Sequence, residues 1–323
     1  MSRRRLSFCI RAVTNILSLS KWQRRLLLIV LITFSAGVTP NAIRVTQNLG
    51  VPSLAIIAMR LIVVTLTMTV YVFRRQNDAV HKLTRSDVMW SAAAGFWLAM
   101  NLLALFFALE YTSILVTGVL RRTTPIWVVG PEVLLLGAIF SWRIWGASLL
   151  AVVGVIAITV GTSGGVNPGT KPLLGALIAL GGSMCFGIYL LIGRFVSTRM
   201  PSLVYSWLVF AFAGLVTLIA VAITQTPLTG YSANAYLWVV IVTVLAQYLG
   251  HIVLNIGLHY FSATAIAIIL EMSVVVSGVT AFIQFGEVPS TLQIIGSGVI
   301  IVGVILASRE RSNPPSVKIK GST

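Results

Sequence analysis

Long apolar runs separated by short polar stretches extend along almost the whole chain. Runs of about 20 residues, the length a helix needs to cross the hydrocarbon core of a bilayer, recur ten times. They lie at 26–45, 53–73, 87–109, 112–138, 142–162, 172–194, 202–224, 235–258, 262–284 and 290–308. None shows the strict alternation of apolar and polar residues that membrane barrel strands require. The pattern therefore predicts an all-α membrane protein with ten transmembrane helices, numbered here as spans one to ten.

Composition and charge agree with this assignment and orient the predicted bundle. The chain is 57% hydrophobic and only 9% charged, with a mean hydropathy of +0.97 and a net charge of +16. In the predicted topology, 18 Lys and Arg residues lie on the side of both termini and two on the other side. This asymmetry predicts cytoplasmic termini in a bacterial-type plasma (inner) membrane. Because the positive charges are spread over loops and tails that face anionic lipid, they do not indicate nucleic-acid binding.

The segments outside the spans are short. Residues 1–25 read as a basic cytoplasmic tail rather than a transit peptide, because no cleavage site is evident. Residues 309–323 read as a disordered cytoplasmic tail. Two cysteines, Cys9 and Cys185, form neither a disulfide framework nor a metal cluster, and we expect no metal and no cofactor.

The chain contains an internal repeat. A shift of 149 residues aligns "VPSL" at 51–54 with "MPSL" at 200–203, and "VGVI" at 153–156 with "VGVI" at 302–305. The repeats, 26–162 and 172–308, contain five predicted helices each. Since five is odd, the second repeat must have the opposite orientation in the membrane. Two inverted five-helix repeats are typical of secondary transporters.

The residues of both repeats also carry a family resemblance. The segment "ALEYTSILVTGVLRRTTPIWVV" and its counterpart "GLHYFSATAIAIILEMSVVVSGVTAFIQFGEVPS" resemble the EamA-type repeats of the drug/metabolite transporter superfamily. The resemblance covers about residues 26–308 and implies ten helices, cytoplasmic termini and a central cavity lined mainly by spans one, three, four, six, eight and nine. It leans towards export and implies no particular substrate. The first repeat has Ala138 where the second has Glu287, which puts a helix-end contact in doubt more than transport.

Charged residues inside spans are the strongest functional signal. Arg122 in span four and Glu271 in span nine are related by the 149-residue shift, and each lies about 15 Å deep. Charges at that depth are expensive, so they either pair with each other or face a substrate. Adjacent helical residues point about 100° apart, so Arg121 and Arg122 should have different neighbours. Arg60 and Glu132, nearer the ends of their spans, are expected to snorkel towards headgroups.

Span four also contains residues that interrupt helices. Pro125 removes a backbone hydrogen bond, and Gly130 with Pro131 should break the helix again. We therefore expect a bent or discontinuous helix, the element in which transporters commonly build their sites.

Further polar and aromatic residues are candidates for the cavity wall. In span eight, Gln247, His251 and Asn255 follow at i, i+4 and i+8 and should share one face. They serve either as hydrogen-bonding contacts between helices or as substrate ligands. His251 titrates near neutrality and, with Glu271, is a candidate for proton coupling, although a structural role is the alternative. The other candidates are Asn41, Trp97, Asn101 and Tyr189.

The motifs of membrane-embedded enzymes are absent, so an enzyme is not favoured. Inverted repeats with charged residues at mid-membrane depth favour a secondary transporter over a channel. In the favoured hypothesis, Arg121 and Arg122 bind the carboxylate of an amino acid, organic anion or similar metabolite, and Glu271 and the span-eight residues take its amine or hydroxyls. In the alternative, Glu271 exchanges protons for a lipophilic cation in a multidrug exporter. Two nearby arginines would repel such a cation. The expected partners are a small-molecule substrate and the lipid bilayer, and both a monomer and a homodimer are compatible with the sequence.

Overall fold

The computed structural model describes residues 20–111, 117, 120–136, 141–161, 171–285 and 290–308. Over these residues every regular element is a helix. The elements are α1 (Lys21–Asn48), α2 (Ser53–Arg75), α3 (Asn77–His81), α4 (Arg85–Tyr111), α5 (Thr124–Leu136), α6 (Trp142–Gly161), α7 (Pro172–Val196), α8 (Ser202–Thr224), α9 (Ala233–Thr243), a π-helix (Val244–Ile252), α10 (Val253–Gly257), α11 (Ala263–Phe285) and α12 (Thr291–Ser308).

Seven helices of the described part are long and apolar enough to cross a membrane, and they fall in predicted spans one, two, three, six, seven, eight and nine. Span eight consists of α9, the π-helix and α10 in continuous succession. Shorter apolar helices, Trp142–Gly154 and Ile294–Ala307, lie in spans five and ten. In span four, residues 112–116, 118–119 and 137–138 lie outside the described residues. The Ala138 and Glu287 positions compared above are therefore both outside the described part of the chain. The chain is therefore a multi-pass membrane protein.

The repeated tetrapeptides begin two helices in the same way. Pro52 and Pro201 are both extended, with ψ angles of 146° and 135°, and the helices α2 and α8 begin at the following serines. Proline favours this position because its fixed φ suits the entry to a helix and its missing N–H is not needed there. The sequence repeat thus corresponds to a repeated local structure.

The helices pack in pairs around one buried apolar core. α1 lies along α11, α6 along α12, α4 along α7, and α8 against both α2 and α4. The core includes Leu28, Ile32, Leu61, Tyr189 and Phe210. Many large apolar side chains remain exposed on the outer faces, among them Leu66, Leu134 and Ile223. Such a surface suits contact with lipid rather than water.

Glycine allows the closest helix contacts. A Cβ atom at Gly37 of α1 would lie 2.5 Å from the Cβ of Val276 and 2.9 Å from the backbone oxygen of Ser273, both on α11. At the pair α6 and α12, a Cβ at Gly154 would lie 2.8 Å from the Gly296 oxygen. These helices approach at distances that leave no room for a side chain.

The π-helix shapes span eight where it meets α1. The hydroxyl of Ser35 donates a 2.5 Å hydrogen bond to the Leu245 carbonyl oxygen, and a Cβ at Gly250 would lie 2.9 Å from the Ser35 hydroxyl oxygen. Because a π-helix has a wider turn than an α-helix, residues four apart no longer keep the angular offset assumed from the sequence.

Span four is interrupted once within its described residues. A turn at Arg122 and Thr123 precedes α5, and Pro125 is the second residue of α5, where proline is tolerated. The helix continues through Gly130 and Pro131, so the expectation of a second break there was wrong. The backbone around the two arginines is therefore the irregular part of this span.

Polar contacts join helix ends on the side of the two termini. Oε1 of Glu132 on α5 accepts a 2.8 Å hydrogen bond from the Ala263 amide, and Oε2 accepts 2.8 Å bonds from the amide and hydroxyl of Thr264. Glu132 is buried, so the expectation that it snorkels was wrong. It caps the first turn of α11, where a negative charge is favoured by the helix dipole.

Three arginines add to this set of contacts. Arg194 on α7 donates to the carbonyl oxygen of Leu258, which follows α10. Arg24 donates to the hydroxyl of Tyr260 at 3.1 Å, and Arg25 donates to the Tyr260 carbonyl at 3.1 Å. Together with Glu132, they hold α1, α5, α7 and the start of α11 together at this end of the bundle.

We predict that Gly37→Ala lowers the free energy of unfolding by about 1–3 kcal/mol, because the added methyl group cannot fit against Val276 without moving backbone. The melting temperature of the purified protein in detergent measures this. Gly278→Ala is the matched control, since a Cβ atom at that position would meet no neighbouring helix or side chain within 4 Å. Equal melting temperatures for the two variants would contradict the close packing of α1 on α11.

We predict that Glu132→Gln lowers the free energy of unfolding by about 1–3 kcal/mol, because it removes the charge at the start of α11 and turns an amide group towards backbone donors. Asp78→Asn, an exposed acid on α3, is the control and should melt like the parent protein. If Glu132→Gln also melted like the parent, the carboxylate cap would contribute nothing to stability.

Candidate functional site

A cavity of about 320 Å³ lies between the helices in the middle of the bundle. It extends from the α1–α2 loop, where Gln47 and Ser53 line it, to the level of Arg122 and Glu271. Its polar lining residues are Ser35, Thr39, Gln47, Ser53, Arg60, Asn101, Arg121, Arg122, Thr124, His251, Glu271 and Ser273. The volume falls in the range of pockets for small organic molecules.

Helical spacing explains how α1 and α2 supply their part of the wall. On α2, Ser53, Ile56, Ile57 and Arg60 recur at i, i+3, i+4 and i+7 and form one face. The family resemblance implied walls from spans one, three, four, six, eight and nine. The structure adds span two, and with it Arg60.

Arg122 is held by α11. Its guanidinium donates to the hydroxyl of Ser273 at 2.9 Å and to the Leu270 carbonyl oxygen at 3.3 Å. The carboxylate of Glu271 lies 3.6 Å from the same nitrogen. Glu271 is only 2% exposed, whereas the side chain of Arg122 is 31% exposed and faces the cavity. The structure thus joins the two charged residues that the repeat placed at one depth.

Arg121 has a different neighbour, as its offset from Arg122 on the helix requires. It donates to the side-chain oxygen of Asn101 on α4 at 3.0 Å. Its Nε is buried without a hydrogen-bond partner among the described residues. The two adjacent arginines therefore link α4 to α11 across the cavity.

Arg60 is the functional candidate that sequence reasoning missed. It is 4% exposed and lines the cavity, so the expectation that it snorkels to headgroups was wrong. The signal was available in the sequence: Arg60 is the only charged residue of α2 before its terminal pair Arg74 and Arg75. What the sequence did not provide was its direction, because that depends on which face of α2 meets the cavity.

His251 belongs to the cavity wall and is surrounded by rings. Phe186, Tyr189 and Phe210 place their ring centroids 6.0–6.4 Å from that of the imidazole. Its Nδ1 is buried without a hydrogen-bond partner among the described residues. His251 therefore packs among aromatic rings at the cavity wall. Among the described residues, no group of three or more His, Cys, Asp or Glu side chains is arranged to hold a metal ion.

The other residues expected at the cavity lie elsewhere. Asn255 accepts from the Tyr189 hydroxyl at 2.6 Å and donates to the Ser206 hydroxyl at 2.9 Å, in the apolar core. Gln247 is fully buried, and its amide has no hydrogen-bond partner among the described residues. The expected single stripe of span eight is thus divided, since only His251 of the three lines the cavity.

Two residues from spans one and three also face neighbours other than the cavity. Asn41 donates to the Thr280 hydroxyl of α11 at 2.8 Å. Trp97 packs against the apolar core and against the ring of Phe96. Neither residue is among the described residues that line the cavity.

The cavity carries an excess of positive charge. Among the described residues, three guanidiniums, those of Arg60, Arg121 and Arg122, line it together with one carboxylate, that of Glu271. Inside the bundle, where the effective dielectric constant is lower than in bulk water, each of these charges interacts more strongly than it would at a surface. The arrangement can bind anionic groups through charge-assisted hydrogen bonds.

Comparisons with known proteins agree with this picture. A model of the EamA-like transporter family matches the chain twice, over residues 23–160 and 173–309. The pseudopaline exporters CntI of Pseudomonas aeruginosa strains UCBPP-PA14 and PAO1 are each 25% identical to this chain over 288 residues. These alignments cover 88% of this chain and 96% of each relative. A solved crystal structure matches with a TM-score of 0.71 at 18% identity, covering 86% of this chain and 96% of that chain, and supports the fold alone.

The resemblance read from the sequence is thereby confirmed. The family model covers both halves of the chain, and the family and both relatives are transporters. The protein belongs to the EamA-like transporter family.

Proposed function

We propose that this protein is a secondary transporter that exports small anionic metabolites, such as organic acids or amino acids, by alternating access at the central cavity. The observation that carries the proposal is the charge of the cavity, on whose wall the described residues include three arginines and one glutamate. An anion that enters replaces the water lost by the guanidiniums and neutralises part of their charge.

The proposal includes ten helices arranged as two inverted repeats, and pairs of contacts support this. Gly154 packs against Gly296 and Ile300, while Gly303 packs against Ala147 and Ala151. A shift of 149 residues converts each of these contacts into the other. Related contacts of this kind arise when two copies of one unit face each other about a pseudo-twofold axis.

The distribution of polar contacts supports alternating access. The cavity reaches the α1–α2 loop, whereas the opposite end of the bundle is joined by the hydrogen bonds of Glu132, Arg194, Arg24 and Arg25. With cytoplasmic termini, as the charge asymmetry predicts, this arrangement is an outward-facing one. Hydrogen bonds between helix ends can break and reform as the two halves rock.

The direction of transport is inferred from the relatives. Both curated relatives are described as exporters of a metabolite, pseudopaline. At 25% identity the substrate can differ between members, so we extend only the exporting direction to this chain. A bacterial-type plasma membrane is the corresponding location.

A proton-coupled exporter of lipophilic cations is the second candidate function. Glu271 and His251 both line the cavity and could carry the coupling proton. Three arginines in the same cavity oppose cation binding, because like charges repel strongly at low dielectric. We therefore rank this function second.

We predict that Arg122→Gln reduces transport of the anion at least tenfold, because it removes a charge-assisted contact worth more than about 1.4 kcal/mol. The substrate is first chosen by a thermal-stability screen of the purified protein against amino acids, organic anions and lipophilic cations, since a bound ligand raises the melting temperature. Counterflow in liposomes then measures transport. Arg143→Gln, at an exposed position of α6, is the control and should retain activity.

A loss of folding in Arg122→Gln is addressed by a second variant. The double change Arg122→Gln with Glu271→Gln removes both charges of the ion pair and leaves no buried carboxylate unpaired. A folded double variant that still transports the anion at the parent rate would refute the anion site. Stabilisation of the parent protein by cations alone would favour the second candidate function.

We predict that Glu271→Gln loses stimulation of transport by an imposed proton gradient but keeps substrate exchange. Exchange returns a loaded site to each side and requires no net proton movement, whereas coupled flux does. Transport by the parent protein and by Glu271→Gln is measured in liposomes with pH 6 on one side and pH 8 on the other, and again without a gradient at each pH. His251→Gln is tested in the same way as the second coupling candidate. Gradient stimulation that persists in both variants would exclude these residues as the proton carriers.

A further inference from the structure

We propose that the cavity is built for a dianion, with one anionic group of the substrate on Arg60 and the other on Arg121, beside Arg122. The substrate class is then dicarboxylates or compounds that carry two comparable anionic groups. This inference rests on the proposed function, in which the cavity is the substrate site.

Arg60 is buried inside the bundle without a counter-charge among the described residues. Its side chain is 4% exposed, and its Nε is buried without a hydrogen-bond partner among the described residues. No acidic side chain of the described chain lies within ion-pair distance of it. Arg60 lines the cavity with Arg121 and His251, neither of which is an acid, and the described acid of the cavity, Glu271, lies against Arg122. A buried guanidinium in this state is strongly unfavourable unless water in the cavity solvates it or a ligand supplies the counter-charge.

The Arg60 side chain lies on the face of α2 that lines the cavity. It shares the cavity face of α2 with Ser53, Ile56 and Ile57 rather than lying on a lipid-facing stripe. It is seven residues from Ser53, or about 10 Å along the helix axis. A ligand that enters along this face from the α1–α2 loop reaches Arg60 inside the bundle.

The described positive charges on the cavity wall outnumber the described negative charge. Glu271 lies 3.6 Å from Arg122 and neutralises that guanidinium. Arg121 is bonded only to the neutral amide of Asn101, so its charge remains uncompensated within the described structure. Arg60 and Arg121 therefore leave two positive charges on the wall. A monoanion would neutralise one of them, and a dianion neutralises both.

The size of the cavity and the geometry of its guanidinium groups both suit a small dicarboxylate. A cavity of about 320 Å³ accommodates a small dicarboxylate with room for water. Guanidinium groups bind carboxylates through a planar fork of two parallel hydrogen bonds, which an amide of the same shape cannot reproduce with equal strength. The site should therefore distinguish a dicarboxylate from its monoamide.

The test compares ligands of equal shape and different charge. Binding of succinate, glutarate, adipate and pimelate to the purified full-length protein is measured by calorimetry, each against its own monoamide. We expect at least one dicarboxylate to bind roughly tenfold more tightly than its monoamide, the effect of losing one charge-assisted contact. In Arg60→Gln this ratio should fall to about one to two, because the dicarboxylate weakens and the monoamide does not.

Two further variants make the result specific to Arg60. Arg74→Gln makes the same change at an exposed position of the same helix and should keep the parent ratio. Arg60→Lys keeps the charge without the planar fork and should keep part of the preference. If Arg60→Gln does not fold, the comparison of ligand pairs in the parent protein and in Arg60→Lys still decides the question.

The outcomes separate this inference from the proposed function. Equal affinity for dicarboxylate and monoamide across the whole series, with binding that depends on Arg122, would overturn the dianion site and leave an anion transporter. A preference that persists unchanged in Arg60→Gln would also overturn it. Failure of every anion, mono or dianionic, to bind would instead refute the proposed function itself.

Discussion

The structure depends on how a membrane helix bundle accommodates buried guanidiniums. Hydrocarbon cannot solvate them, so each must find a carboxylate, a backbone carbonyl or a water-filled space. Arg122 finds Glu271, Ser273 and the Leu270 carbonyl on α11, and Arg121 finds Asn101 on α4. These contacts fix two helices from different halves of the chain around one space. The cavity and the charge on its wall are thus consequences of the same requirement.

The two halves share a plan but differ at their ends. Glu132 caps α11 from α5, while the residue that corresponds to it under the 149-residue shift, Ala281, has no carboxylate. The carboxylate of Glu132 therefore has no counterpart at position 281, and near the other end of these helices Asn41 donates a neutral hydrogen bond to Thr280. When the polar contacts that close the two ends of a transporter differ in strength, its two conformational states differ in free energy. A substrate then shifts the populations of these states only through its different affinity for each.

The sequence predicted features that depend on local pattern. Hydropathy located the seven described helices that are long and apolar enough to cross a membrane, because each spans a similar thickness of lipid. The tetrapeptides "VPSL" and "MPSL" marked equivalent helix starts. It failed where neighbours decide. The direction of Arg60 depends on how α2 faces the cavity. Gln247 and His251 lie in a π-helix, and only His251 lines the cavity. The helix α5 continues through Pro131, where the sequence suggested a break. Glu132 likewise needed a partner helix that no local pattern identifies.

The unbalanced charge also constrains the transport cycle. An empty cavity leaves Arg60 and Arg121 dependent on water, and closing both ends around them would remove that water at high free-energy cost. In the proposed site, a bound dianion would replace the water with two fixed counter-charges, so that closure would become favourable only when the site is loaded. A carrier that changes conformation quickly with substrate bound and slowly when empty has a higher rate of substrate exchange than of net substrate flux. Two uncompensated arginines would thus provide both recognition of the substrate and a barrier against unproductive movement.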